Sequence, residues 1–162
     1  MKLKFGNRRV TGERTASQQQ VMAAILFADI CGSTRLFEKF GDWRARQIET
    51  RVLDVLISGT VAHDGAVIKT IGDEIMSRFP SAQQAVNAAC EMHRALKEDQ
   101  ELAALNIAVK IGLHYGPVLV EKGDLFGDAV NVAARMVALA KADQIITTRE
   151  TATCLPADLA QT

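Results

Sequence analysis

The sequence predicts an α+β sandwich built on one sheet, and three observations carry that prediction. Short apolar runs alternate with long stretches of three-and-four periodicity, so strands and helices interleave along the chain. The pairs Gly72-Asp73 and Gly116-Pro117 join neighbouring strand-like runs directly, which suits hairpins better than a doubly wound parallel sheet. With 162 residues, 48% of them apolar, the chain has the length and material for a single core.

Residues 1–20 carry Lys2, Lys4, Arg8, Arg9 and Arg14 among polar neighbours and read as a flexible basic tail or linker; residues 21–162 read as the domain. Val21 to Ile30 is a short apolar run and predicts a buried strand. Gly32, Ser33 and Thr34 end it, and either hydroxyl can cap the helix that follows. Leu36 to Ala62 is helical, with a break near Gly41 and Asp42, and Leu53, Leu56 and Ile57 share a face. After a turn at His63 to Gly65, Ala66–Ile71 and Glu74–Phe79 predict two strands of a hairpin. Ser81 caps a long helix whose inner stripe is Ala85, Ala88, Ala89, Met92 and Leu96. Ile107 to His114 predicts a strand, Gly116-Pro117 a turn, and Val118 to Glu121 a second strand. A loop over Lys122 to Asp124, a helix over Phe126 to Leu139 and a strand over Gln144 to Thr147 complete the order. This order contains the βαββαβ core of ferredoxin-like folds, with extra helices and a hairpin added.

Charge and cysteine content narrow the function classes. Lys plus Arg and Asp plus Glu each number 19, so there is no basic excess of the kind nucleic-acid binders show. Cys31, Cys90 and Cys154 are too few and too scattered for a disulfide framework or a zinc knuckle, which points to a reducing cytoplasm. Cys90 falls in a helical pattern and is expected as a small buried residue. No apolar run reaches the roughly 18 residues of a membrane span, and no signal peptide is expected.

Two acids stand out first. Asp29 ends an apolar strand and Asp73 sits in a hairpin tip, places from which carboxylates can face a cleft rigidly. Such a pair suits Mg²⁺, which takes one or two carboxylates plus substrate phosphates. Taken alone, Asp73 reads first as a turn former before Glu74. Lys69 shares a strand face with Val67 and Ile71, and alone it reads as an edge lysine whose stem lies on apolar neighbours. Asn131 and Arg135 lie four apart on one face of an otherwise apolar helix, either a solvated face or a pair that meets a sugar and a phosphate.

In order and spacing these clusters resemble one family. "LFADICGST" and "VIKTIGDEIM" are similar to the two metal motifs of class III adenylyl and guanylyl cyclases. "IGLHYGPV" resembles the strand-turn-strand that follows them, and "GDLFGDAVNVAARM" the segment contacting base and transition state. The resemblance covers roughly Val21 to Pro156 and implies the class III nucleotidyl cyclase fold. It implies that Asp29 and Asp73, with the Ile30 carbonyl, hold two Mg²⁺ or Mn²⁺ ions per site. Lys69 and Asp124 would read the adenine edge, where guanylyl cyclases usually carry Glu and Cys or similar residues. Asn131 would orient the ribose and Arg135 would stabilise charge on the α-phosphate, while Gly32, Ser33 and Thr34 offer backbone N–H groups to the terminal phosphates. The implied reaction is ATP to 3′,5′-cyclic AMP and pyrophosphate, at two equivalent sites of a head-to-tail homodimer. A regulatory domain on a longer parent chain is a further implied partner.

The pattern is departed from at two places. Relatives carry a further strand hairpin with a triphosphate-binding lysine, whereas no lysine follows Lys141, so low turnover is expected. Lys110 stands where some relatives place a triphosphate-binding arginine, and alone it reads as a strand-edge cation. The alternatives are a guanylyl cyclase and a catalytically weak nucleotide-binding regulatory module.

Overall fold

A computed structural model of the chain describes residues 19–159. The elements are β1 (Gln19–Ile30), α1 (Ser33–Ala62), β2 (Ala66–Ile71), β3 (Glu74–Phe79), α2 (Ala82–Glu98) and α3 (Gln100–Ala104). They continue with β4 (Val109–Glu121), β5 (Asp124–Phe126), α4 (Asp128–Leu139), β6 (Ile145–Thr147) and α5 (Arg149–Ala152). The strands form one sheet in the order β2-β3-β1-β4-β5, with β6 alongside β4. Strands β2, β3, β1 and β4 pair antiparallel throughout, which is the predicted ferredoxin-like core, and β6 adds to β4 in parallel.

Being central, β1 is buried on both faces, so its apolar run needs no alternation. Ala24, Leu26, Ala28 and Ile30 enter the core beneath α1 and α2, whereas Ala23, Ile25 and Phe27 enter a second core beneath α4. A buried hydrogen bond of 3.0 Å between Thr60 Oγ1 and Ser77 Oγ satisfies the polar atoms where α1 crosses β3. Helix α4 lies almost in contact with β4. A methyl group on Gly112 would come within 2.0 Å of the Val137 backbone nitrogen, and one on Gly116 within 3.1 Å of Ala129 Cβ.

The hairpin strands 66–71 and 74–79, the Ser81 cap and the α2 stripe match expectation, as does the break in α1, at Gly41 (φ 76°). Several expectations change. Strand β1 begins at Gln19 rather than Val21, while residues 1–18 of the expected tail lie outside the described residues. The cap of α1 is Gly32, with no side-chain hydrogen bond, so Ser33 and Thr34 are its first helical residues. Gly116-Pro117 makes no turn, because β4 runs unbroken through it and pairs Pro117 with Met22. Pro117 is tolerated because it lies between the stretches of β4 that pair with β6 and β5, where one strand edge is open. Cys90 is exposed, one residue beyond the buried Ala89 and so turned off the stripe. The buried stripe of α1 is Ala45, Ile48, Glu49, Val52 and Leu56, which leaves Leu53 half-buried and Ile57 at the surface. Among the described residues, no helix is long and apolar enough to cross a membrane.

Candidate functional site

Asp29 ends β1 and faces Lys110 of β4 on one side and Glu74 of β3 on the other. The two-residue turn Gly72-Asp73 brings Asp73 to the same end of the sheet; Gly72, at φ 61°, supplies the left-handed first position that such hairpins need. Burial, and then the nearby Asp73 carboxylate, raise the Asp29 carboxyl above its ordinary range, against a smaller lowering by Lys110. Lys110 Nζ lies 3.8 Å from Asp29 Oδ2. The Ile30 backbone N–H opposes that rise to a lesser extent. Glu74, half-buried, is raised by burial and by both aspartates.

Three carboxylates therefore crowd one sheet end with, among the described residues, a single lysine in ion-pair reach, an arrangement that stores unfavourable charge unless a cation joins it. Among the described residues no three acidic, histidine or cysteine side chains converge as a metal-ion cage. The chemistry on offer is a pair of hard carboxylate oxygen donors, the donor type that Mg²⁺ or Mn²⁺ takes.

A second cluster lies on the α4 side of the sheet. A bulge between Val67 and Lys69 shifts the β2 register, so Lys69 pairs with Met76 of the second core. Lys69 is thus turned away from the Val67 face expected for it, since a one-residue slip reverses every side chain beyond it. Its Nζ reaches Asp124 Oδ2 at 2.8 Å. Asp124 is the first residue of β5, a short strand that replaces part of the expected loop and hairpins back on β4 through Lys122 and Gly123. The bond from Lys69, followed by the Leu125 N–H, holds the Asp124 carboxyl below its ordinary range.

Asn131 and Arg135 are exposed on α4 and pair with no other described residue. No hydrogen bond or ion pair links them, or the Lys69–Asp124 pair, to the Asp29–Asp73 end. Ser33 is half-buried and Thr34 exposed at the start of α1. The sequence reading missed Glu74, although it directly follows Asp73. Only the β1–β3 register, with Asp29 opposite Glu74, identifies it.

The family model described as "Adenylate and Guanylate cyclase catalytic domain" matches residues 15–161. An adenylate cyclase of Streptomyces griseus is 30% identical over 126 residues, 75% of this chain and 30% of that protein. A bacterial light-regulated adenylyl cyclase superposes with a TM-score of 0.74 at 28% identity, covering 88% of this chain and 47% of that one. The adenylyl cyclase CyaB from P. aeruginosa gives a TM-score of 0.77 at 21% identity, covering 85% and 82%, and speaks for the fold alone. The chain spans roughly a fifth to two fifths, 21% to 37%, of the length of the first curated relatives it matches.

Proposed function

The chain belongs to the adenylate and guanylate cyclase catalytic-domain family, and from that premise we propose that it is an adenylyl cyclase whose sites are completed by a second copy. The observation that carries the choice of base is the Lys69–Asp124 pair, with a donor and an acceptor 2.8 Å apart. Adenine presents a ring-nitrogen acceptor beside an amino donor, and an ammonium beside a carboxylate complements that edge. Guanine presents the opposite order.

Asp29 and Asp73, with the Ile30 carbonyl, would hold two Mg²⁺ or Mn²⁺ ions. When bound, these supply charge to offset the phosphates and lower the cost of deprotonating the ribose 3′-hydroxyl. The chain's own groups do the rest. Gly32 caps α1 without a side-chain bond, so the first-turn N–H groups at Ser33 and Thr34 are free to receive terminal phosphates. Lys110 stands at the same sheet end and would share that load. Asn131 would hold the ribose so that its 3′-oxygen lines up with the α-phosphorus. Arg135, one turn along the same exposed face, would offer its planar fork to the α-phosphate oxygens as charge builds and pyrophosphate departs.

Separation of the two clusters points to the second copy. The side chains of Asn131 and Arg135 bond to no described residue of their own chain, and exposed apolar residues flank both half-sites. Ile71 beside Gly72-Asp73 is 49% exposed and Phe126 beside Asp124 is 47% exposed. Apolar surface beside a polar site suits burial against a partner. The test is cyclic AMP formation from Mn²⁺–ATP over a range of protein concentrations, with GTP alongside. ATP turnover that rises faster than linearly with protein, and vanishes in Asp29→Ala and Asp73→Ala, is expected. Turnover of GTP in preference to ATP, or activity that survives both substitutions, refutes the proposal.

A further inference from the structure

Lys110 lies on β4 between Val109 and Ile111, both wholly buried. Strand β4 is paired on both sides there, with β1 through Asp29 opposite Lys110 and with β6 through Ile111 opposite Ile145. Lys110 is therefore not the strand-edge cation that its sequence context suggests. Residues directly opposite on neighbouring antiparallel strands share a sheet face, so Glu74, Asp29 and Lys110 form a row across β3, β1 and β4. Lys110 Nζ and Asp29 Oδ2 are 3.8 Å apart, and their side chains are only 27% and 26% exposed. Among the described residues, each is the other's one ion-pair partner.

Asp29 is also one of the two carboxylates assigned to the divalent cations, so the lysine and a cation compete for it. A positive charge this close to a metal-binding carboxylate opposes the entry of a second. That opposition ends if the ammonium, carried on a flexible four-carbon stem, meets another anion. At 3.8 Å the pair is not a hydrogen bond, so parting it breaks none. Resting on the two-metal reading above, we infer that Lys110 is an exchangeable counter-ion that couples the two ligands of the site. It holds Asp29 against a divalent cation until the phosphates of a nucleotide take the lysine. Through this lysine each ligand favours the other's binding, and by the same factor, as linkage requires.

The test follows Mn²⁺ binding to the full chain, without nucleotide, through the electron paramagnetic resonance signal of free Mn²⁺. It compares wild type, Lys110→Met, Lys110→Gln, Lys110→Arg and Asp73→Asn. Both neutral variants should bind Mn²⁺ about three- to tenfold more tightly than wild type, the effect of removing one nearby positive charge. Two such variants keep the test decisive if one fails to fold. At saturating Mn²⁺ their KM for ATP should rise, so one substitution moves the two ligands in opposite directions. Lys110→Arg keeps the charge and should bind Mn²⁺ like wild type. A lysine that only braced the strand, or only met phosphate, would leave Mn²⁺ no tighter when neutralised. If Asp73→Asn loses Mn²⁺ while the neutral Lys110 variants bind it like wild type or more weakly, this inference falls and the two-metal reading stands. Tighter Mn²⁺ with an unchanged KM for ATP also overturns it, because the lysine then has no second partner. If wild type binds Mn²⁺ no better than Asp73→Asn does, both readings fall together.

Discussion

Lys69 and Asp124 are exposed by 42% and 33%, so their ion pair adds at most about 1 kcal/mol to folding. Its position is better explained by what it presents to a ligand: an ammonium and a carboxylate fixed side by side on strands from different parts of the chain. Reversing donor and acceptor should therefore reverse selectivity with little effect on the melting temperature. In the double variant Lys69→Glu/Asp124→Cys, the ratio of ATP to GTP kcat/KM should fall by about a hundredfold, as expected for exchanging charged hydrogen bonds worth about 1.5–3 kcal/mol. Competition between the two nucleotides in one reaction measures that ratio directly. An unchanged ratio would remove this pair from base selection.

Between elements, the contact that decides the site is α4 on β4. Gly112 lets the helix backbone approach so closely that a Cβ would meet Met136 C at 2.5 Å and Val137 N at 2.0 Å. No side-chain movement relieves a clash with backbone, so Gly112→Ala must lift α4, and with it Asn131 and Arg135. It should cost about 3 kcal/mol or more, at the upper end for overpacking. Gly116→Ala meets only the Ala129 methyl and the His114 ring, at 3.1 and 3.3 Å, and should cost about 1 kcal/mol. Urea unfolding of the two variants tests the order, and equal costs would show that α4 is not held by this approach. Little of this was legible beforehand, since a glycine in a strand does not name the helix above it. Elements closed by local chemistry were legible. The Gly72-Asp73 turn fixed both strands of its hairpin, and Ser81 fixed the start of α2. Elements that depend on distant partners were not. Pro117 resembles a turn until its open strand edge is known, and Lys122-Gly123 lacks the Asn or Asp that announces a hairpin. The stripe of α1 was misread because Glu49 occupies one of its positions, which moved the apparent apolar face to Leu53 and Ile57.

Across the whole molecule, the candidate residues were recognisable as motifs in the sequence, but their separation was not. Asp29 and Asp73 meet at one end of the sheet, Lys69 meets Asp124 on the α4 side, and Asn131 and Arg135 meet neither group. A chain that carries both halves of a site without joining them makes a specific prediction about mixtures. Asp29→Ala destroys the metal half of each site that its chain supplies, and Arg135→Ala destroys the other half. Each variant alone should be inactive. In an equal mixture about half the dimers contain one chain of each kind, and in these one of the two sites is intact, so activity should return to about a quarter of wild type. The measurement is cyclic AMP formation after mixing the two purified variants and allowing the chains to exchange. If the site lay within one chain, every site in the mixture would still carry a lesion and nothing would be recovered. Recovery near a quarter assigns the two halves to different chains.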